Sequence, residues 1–271
     1  MFKHDHPIKS PLFDYYAPMG EHFRGILSIP HSGENIPPEF AEFLSGDLNA
    51  YREDVDFKVN ELIGIPRLQT AGIAVLVAHV HRICVDLNRA ENNCVLFWKN
   101  NTHGKQLVVK EPTVRETEKF IETYHRPYFE ILKAGIQDLE KRKTGLVSMI
   151  DLHSMPSRPT EYHLKQNPNQ QMHRADFCLS DKKGKTCNPE FISFFNQELS
   201  SKGYKTSIND PYVGGFVTEF VDQFQTNNIQ IEINRSIYMD ESKKLLLNEQ
   251  VTKLKVLLTD VLIKGFERFD S

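Results

Sequence analysis

The stretch ILSIPHSGENIP, residues 26–37, runs from a short apolar segment directly into a histidine. Residues 26–30 are mostly apolar and favour β-structure, so they predict a buried strand. His31 follows the strand, with small or rigid neighbours (Pro30 and Gly33) that leave space around its ring. A histidine at the end of a buried strand suits a metal ligand, and it also suits a structural histidine held by hydrogen bonds.

The pattern around this strand alternates short apolar runs with longer amphipathic ones. Predicted strands cover residues 26–30, 73–78, 83–87, 146–152, 176–179 and 229–233, and predicted helices cover 48–63, 113–142, 189–202 and 241–267. Strands interleaved with helices indicate an α/β fold in which helices cover both faces of a mostly parallel sheet. The apolar stripe of the last helix is expected to pack on that sheet. Pro127 should kink or split the helix 113–142, and the polar segment 157–174 should leave the sheet as an excursion.

Length and composition indicate one globular domain over residues 1–271. The chain is 39% hydrophobic and 25% charged, with a net charge of −3, so neither a nucleic acid nor a membrane surface is an expected partner. No apolar run reaches membrane-spanning length, and we expect no secretory signal, because the first residues contain no apolar core segment. The four cysteines form no Cys-x-x-Cys pair. We expect reduced thiols in a cytoplasmic protein that acts as a monomer or homodimer.

Polar residues follow the ends of several predicted strands. His31 follows the first, His153 ends the strand 146–152, and Glu232 and Arg235 lie at 229–235. Ligands of open α/β sheets gather at the carboxyl ends of the strands. Two histidines and one carboxylate form a common ligand set of catalytic zinc sites, which keep one position for water. The two histidines therefore predict a zinc site, provided that the fold brings them together.

The third zinc ligand has several candidates. Glu34 has a His-x-x-Glu spacing to His31, which zinc carboxypeptidases also show. Glu53, Asp54 and Asp56 lie in the predicted helix 48–63, where Asp56 is nearest the buried face. Asp56 is therefore the preferred ligand. The alternative is that the acidic residues form a solvated face.

Glu232 interrupts the apolar strand IQIEI. A buried carboxylate is costly unless it is paired or neutral, so Glu232 has either a raised pKa or an ion pair, for example with Arg235. A raised pKa would suit a general base that later acts as a general acid.

Candidate substrate-binding residues lie in two segments. The segment HRICVDLNR contains Arg82, Asn88 and Arg89, and arginine binds carboxylates with paired hydrogen bonds. The turn NDPYVGG contains Gly214 and Gly215, where the backbone can approach a ligand. The sequence lacks nucleotide-binding glycine motifs and a serine-hydrolase elbow.

The motifs IPHSG, REDVDF, VDLNR, IDLHS, NDPYVGG and IQIEINR resemble, in order and spacing, those of the N-formylglutamate amidohydrolase family. The resemblance covers about residues 26–240. It implies a three-layer αβα sandwich with a mixed, mostly parallel sheet (phosphorylase/hydrolase-like) and a zinc-dependent deformylase. By this resemblance, His31 and His153 match zinc ligands, Glu232 matches the residue that activates water, and Arg82 and Arg89 match basic residues of the substrate pocket.

These observations together predict a zinc-dependent amidohydrolase that cleaves the amide of a small N-acyl amino acid, such as N-formyl-L-glutamate. The predicted zinc ligands are His31, Asp56 and His153, and the general base is Glu232. The predicted substrate-binding residues are Arg82, Asn88, Arg89, Gly214, Gly215 and Arg235. Two alternatives remain: a carboxypeptidase-like enzyme acting on peptides or cell-wall fragments, and a binding protein without activity.

Overall fold

A mixed eight-stranded sheet organises the chain, of which the computed structural model describes residues 8–19, 22–142 and 146–270. Its strands are β1 (Ile8–Lys9), β2 (Phe13–Tyr16), β3 (Gly25–Ile29), β4 (Ile73–Ala78), β5 (Ser148–Met155), β6 (Phe177–Ser180), β7 (Thr206–Ile208) and β8 (Asn227–Asn234). The order across the sheet is β1-β2-β4-β3-β5-β8-β6-β7. The four central strands β4, β3, β5 and β8 run parallel to one another. Strand β2 pairs antiparallel with β1 and β4, and β6 pairs antiparallel with β8 but parallel with β7.

Helices cover both faces of the sheet. They are α1 (Leu48–Tyr51), α2 (Ile65–Thr70), α3 (Val114–Phe120), α4 (Arg126–Glu140), α5 (Glu161–Gln166), α6 (Pro189–Ser201), α7 (Phe216–Asp222) and α8 (Asn248–Arg268). Buried side chains of α3, α4 and α7 form one hydrophobic cluster with one face of the sheet. Those of α2, α6 and α8 form a second cluster with the other face. The predicted three-layer αβα fold with a mixed, mostly parallel sheet is confirmed.

The apolar stripe of α8 packs on the sheet as predicted. Leu254, Leu258, Val261 and Leu262 are each at most 3% exposed and lie in the second cluster. The helix begins later than expected, because residues 239–246 form a hairpin. Its strands are β9 (Met239–Asp240) and β10 (Leu245–Leu246), which pair antiparallel.

The prediction of one helix over residues 48–63 is wrong. Only α1 and a 3-10 turn at Val59–Leu62 are helical, and Lys58 has a left-handed backbone with φ 56°. The amide of Asp56 donates to the carbonyl of His31 at 3.0 Å. That tertiary bond removes Asp56 from a helical hydrogen-bond ladder, and it brings the segment to the end of β3.

The predicted strand 83–87 is also wrong. This buried apolar run is irregular and contacts the sheet's hydrophobic cluster without joining the sheet. Its backbone bonds instead to residues 94–96, where the Leu96 amide donates to the Cys84 carbonyl at 3.0 Å. A short buried apolar run has no periodicity that separates a strand from a buried loop.

The predicted break near Pro127 is confirmed as a single π-helical turn, Ile121–His125, between α3 and α4. The polar segment 157–174 leaves the sheet and contains only the short helix α5.

Cys84, Cys94, Cys178 and Cys187 are free thiols. Within the described ranges, none of the helices combines the length and apolarity needed to cross a membrane. The expectation of one domain over residues 1–271 remains a prediction.

Candidate metal centre and active site

Three buried side chains meet at the carboxyl ends of the central strands. His31 follows β3, His153 lies in β5, and Asp56 lies in the turn after α1. Their ligand atoms lie within 4.8 Å of one another. Oδ2 of Asp56 is 3.7 Å from Nδ1 of His31 and 2.9 Å from Nδ1 of His153. The fold thus brings together the two histidines and the carboxylate that the sequence predicted.

A second carboxylate orients each histidine ring from behind. Nε2 of His31 is 2.8 Å from Asp86, and Nε2 of His153 is 2.7 Å from Asp151. Metal-binding histidines commonly donate their outer N–H to such a carboxylate, which fixes the ring and its tautomer. Both Nδ1 atoms therefore face the centre of the cluster with Asp56.

Asp86 and Asp151 are themselves held by further hydrogen bonds. Asp86 accepts from Nη2 of Arg82 at 2.8 Å and from Nε1 of Trp98 at 2.7 Å. Asp151 accepts from the hydroxyl of Ser28 at 2.7 Å. Burial alone would raise the pKa of Asp86, but Arg82 and His31 hold it well below its usual range. Asp86 is therefore an anion that keeps its place behind His31.

The residues fit a divalent metal ion. Nδ1 of His31 is buried and has no hydrogen-bond partner among the described residues. Burial together with Arg82 lowers the pKa of His31, so its ring is neutral. A neutral imidazole nitrogen aimed at a second imidazole and a carboxylate is a suitable donor set for a transition metal. Burial would also lower the pKa of His153, but Asp151 and Asp56 raise it well above its usual value. Metal binding would therefore release a proton from His153.

Glu232 lies beside the cluster. It is the register partner of His153 across β5 and β8, so the two side chains project from the same face of the sheet. Burial, with Asp56 adding to the effect, raises the pKa of Glu232 to about 7. Nε2 of Gln230 donates to Oε1 of Glu232 at 2.7 Å. This carboxyl can hold or release a proton near neutral pH.

Among the described residues, Arg235 forms no ion pair with Glu232; its guanidinium binds other partners. Its Nη1 donates to the carbonyl of Glu53 at 2.8 Å, its Nε donates to the Ser154 hydroxyl at 3.2 Å, and Nη2 is 3.5 Å from Oδ1 of Asp56. Arg235 thus supports the carboxylate of the cluster.

The other candidate carboxylates are engaged elsewhere. Asp54 accepts from the amide of Thr102 at 3.0 Å and from its hydroxyl at 2.7 Å. Glu34 pairs with Arg52 and Lys58. The helical face that favours Asp56 in the sequence does not exist in the structure, and Asp56 reaches the cluster through its turn instead.

A cavity of about 560 Å³ opens over the cluster. It is lined by the two histidines and Asp56, by Glu232, and by all six predicted substrate-binding residues: Arg82, Asn88, Arg89, Gly214, Gly215 and Arg235. The six predicted substrate-binding residues therefore line one cavity, although they come from three distant segments of the chain.

The three arginines of this set differ in their contacts. Arg82 donates to Asp86 and Arg235 supports Asp56, so both guanidinium groups are partly occupied. The guanidinium of Arg89 lies over the ring of Phe97 at 4.2 Å. Over the residues that the structure describes, no acidic side chain lies within ion-pair distance of Arg89. Arg89 is therefore the arginine best able to receive a carboxylate from solution.

Gly215 has a packing role that sequence did not reveal. A Cβ atom on Gly215 would lie 2.1–2.3 Å from the side chain of Asn88. Asn88 Oδ1 accepts from the amide of Val217 at 3.0 Å, and the amide of Gly215 donates to Gln230 at 3.0 Å. Gly214 has φ +101°, a left-handed backbone that favours glycine. The turn thereby locks Asn88 against the cavity.

Sequence reasoning missed several cavity residues. His163, Arg174 and Tyr212 line it, as does Trp98. The polar segment 157–174, which follows the strand of His153, contains His163 and Arg174, but its polarity predicts only an excursion from the sheet. Nothing in the sequence connects that segment with Tyr212.

Comparisons with known proteins identify the family of the chain. A family model described as N-formylglutamate amidohydrolase matches residues 24–239. The chain is similar to the crystal structure of N-formylglutamate amidohydrolase from Ralstonia eutropha JMP134, with 26% identity, a TM-score of 0.84 and coverage of 96% of this chain and 99% of that one.

A gene product from Agrobacterium tumefaciens shares the fold, with 12% identity, a TM-score of 0.67 and 96% coverage of both chains. No curated protein sequence matches the chain. The family model covers most of the chain and confirms the predicted resemblance. The chain therefore belongs to the N-formylglutamate amidohydrolase family and is a hydrolase of non-peptide carbon–nitrogen bonds.

Proposed function

We propose that the protein is a zinc-dependent amidohydrolase that cleaves the amide of a small N-formyl amino acid, such as N-formyl-L-glutamate, into formate and the free amino acid. His31, Asp56 and His153 would hold the zinc ion. When bound, zinc supplies Lewis acidity that polarises an amide carbonyl and acidifies water. The observation that carries the proposal is the buried His–Asp–His cluster with Glu232 in the same cavity.

Glu232 acts as the general base and then as the general acid. Its carboxylate removes a proton from the attacking water and passes it to the nitrogen of the leaving amine. Burial favours this exchange, because a pKa of about 7 keeps both protonation states accessible at neutral pH. A bound cation would lower that pKa and favour the basic form.

The arginines bind and orient the substrate around this centre. Arg89 binds a carboxylate of the substrate, because its guanidinium lies on the cavity wall over Phe97. Asn88 and the backbone of Gly214 and Gly215 shape the adjoining wall. Arg82 and Arg235 also line the cavity and contribute to substrate binding.

The contacts of Arg82 and Arg235 give these two arginines a second role. Arg82 fixes the carboxylate behind His31, and Arg235 fixes Asp56. Their positive charges also favour a negatively charged substrate near the cluster.

Formate release tests the proposed function directly. Protein purified without chelator is incubated with N-formyl-L-glutamate, N-formyl-L-alanine or N-acetyl-L-glutamate, and formate or acetate is measured. We expect metal-dependent formate release that a chelator abolishes and zinc restores. Absence of hydrolysis of all three compounds by zinc-loaded protein would contradict the proposal.

One observation favours a second candidate, an amidase or peptidase acting on longer substrates such as peptides or cell-wall fragments. A second groove of about 590 Å³ adjoins the cavity and shares Phe97, Trp98, Thr102 and Tyr162 with it. A longer acyl group or peptide would fit along this groove. Faster turnover of a formylated dipeptide than of N-formyl-L-glutamate would favour this candidate.

The domain organisation, cellular location and oligomeric state are proposed mainly from the composition of the chain. We propose that residues 1–271 form a single domain that acts in the cytoplasm as a monomer or homodimer, with a small carboxylate-bearing substrate as its partner. The free thiols and the net charge of −3 support an intracellular enzyme without a nucleic-acid partner.

A further inference from the structure

The π-helical turn between α3 and α4 places His125 against the segment that carries Arg89. Its backbone bond spans five residues, because the amide of Arg126 donates to the carbonyl of Ile121. Single π-turns inside helices are rare and often mark functional sites. His125 is the last residue of the turn and is 2% exposed. The proposed mechanism does not use it.

The wider turn keeps His125 on the buried face of the helix. Buried side chains recur every four residues here, at Phe120, Tyr124 and Tyr128 and, one position later, at Ile121, His125 and Phe129. A continuous α-helix has 3.6 residues per turn, so a four-residue repeat would drift about 40° around its axis at each step. The π-turn takes up this drift, and the ring of His125 points into the protein.

His125 donates a hydrogen bond to the backbone of Arg89. Its Nε2 lies 2.9 Å from the Arg89 carbonyl, and a carbonyl only accepts, so Nε2 carries the proton. Burial lowers the pKa of His125, which keeps the ring neutral. Nδ1 is buried without a hydrogen-bond partner among the described residues. The ring otherwise contacts aromatic side chains, with centroids 4.6 Å from Phe129 and 6.0 Å from Phe216.

This bond fixes the direction in which the Arg89 side chain leaves the backbone. The Arg89 amide donates to the carbonyl of Asp86 at 3.1 Å, and its carbonyl accepts from His125. Peptide units are planar, so the two bonds hold the planes on both sides of the Arg89 Cα. The guanidinium then lies over Phe97 on the cavity wall.

The next residue of the helix holds the same segment from outside. Nε and Nη2 of Arg126 form paired bonds of 3.0 Å to the carboxylate of Glu91. That pair is solvent-exposed, and exposed ion pairs contribute little. The buried bond from His125 is therefore the main restraint that the helix places on Arg89.

We propose that His125 is a positioning residue for Arg89, and that its Nε2–H holds the Arg89 carbonyl so that the guanidinium faces the cavity. The inference rests on the proposed function, in which Arg89 binds a carboxylate. It adds a role for the π-turn, which brings the donor to that carbonyl.

Ligand binding tests this role without any turnover. The probes are pentanoate and its neutral analogue 2-hexanone, and calorimetry measures their affinity for the zinc-loaded protein. We expect wild type to prefer pentanoate at least tenfold. Arg89→Met should lose about tenfold of that preference, the usual effect of losing a hydrogen bond between charged groups.

Three variants assign the effect to the His125 donor. His125→Leu removes the donor among apolar neighbours and should lower the preference about threefold to tenfold. His125→Gln keeps an N–H at a similar distance from the backbone and should stay within about twofold of wild type. Phe129→Leu disturbs the packing around the same ring without touching Arg89, and it should retain the wild-type preference.

A double variant separates positioning from general loss of structure. In the Arg89→Met background, His125→Leu should cause no further loss, because its effect passes through Arg89. If His125→Leu fails to fold, His125→Phe, which also lacks the donor, decides by the same measurement.

Four results would overturn the inference: an unchanged preference in His125→Leu, an equal loss in His125→Gln, an equal loss in Phe129→Leu, or a full further loss in the double variant. An unchanged preference in Arg89→Met would instead contradict the carboxylate role of Arg89 in the proposed function. The two failures are therefore distinguishable.

Discussion

Replacing Glu232 by glutamine should stabilise the metal-free protein above neutral pH. Burial raises the pKa of Glu232 from 4.5 to about 7. In the pH window between these two values, the folded state holds a proton that the unfolded state releases. Folding stability therefore falls as the pH rises through the window, and the loss is complete above it. At about 1.4 kcal/mol per pH unit, wild type loses about 3 kcal/mol by pH 8. Glutamine removes the charge and still accepts the bond from Gln230.

Urea unfolding of chelator-treated protein, followed by Trp98 fluorescence, measures this effect. We expect Glu232→Gln to exceed wild type by about 3 kcal/mol at pH 8 and by under about 1 kcal/mol at pH 5. Glu140→Gln, a change at the exposed end of α4, is the control and should change neither value appreciably. With zinc restored, Glu232→Gln should lose about 10²- to 10⁴-fold in kcat. Equal stability of wild type and variant at pH 8 would refute the reasoning that burial holds a proton on this carboxyl.

Three further changes test the neighbours of the cluster. Asp151→Asn removes the carboxylate behind His153 and should weaken zinc binding about 10- to 100-fold, measured by chelator competition at pH 9, where protons compete least; an unchanged affinity would remove the orienting role. Gly215→Ala places a methyl group about 2 Å from the Asn88 side chain and should cost about 1–3 kcal/mol of stability. Combining it with Asn88→Ala, which removes the clashing side chain, should partly restore stability. Arg89→Met should raise KM for a carboxylate substrate at least tenfold with little change in kcat; a change confined to kcat would count against carboxylate binding.

The central strands and the two histidines could be predicted because short apolar runs and the polar residues at their ends are local features. The strand of His31 and the strand of His153 lie close to their predicted bounds. Their convergence follows from a parallel sheet, which places carboxyl ends at one edge. The same reasoning placed Glu232 beside His153.

Other features depend on tertiary contacts that leave no periodic pattern. The segment 48–63 has helical spacing, but the bond from the Asp56 amide to the His31 carbonyl holds it as a turn. The run 83–87 is apolar because it is buried, and it pairs with a loop rather than with the sheet. Asp86 and Asp151 lie in the motifs VDLNR and IDLHS, but their positions behind the histidines emerge only from the packing.

The bound metal is the most direct test of the central claim. Wild type, His153→Ala and His173→Ala, a control at an exposed histidine, would be purified without chelator, supplied with zinc, dialysed and analysed for metal per chain. We expect about one zinc per chain in wild type and control, and a loss of most of it in His153→Ala. Equal zinc content in all three proteins, or none in wild type, would contradict the metal centre of His31, Asp56 and His153.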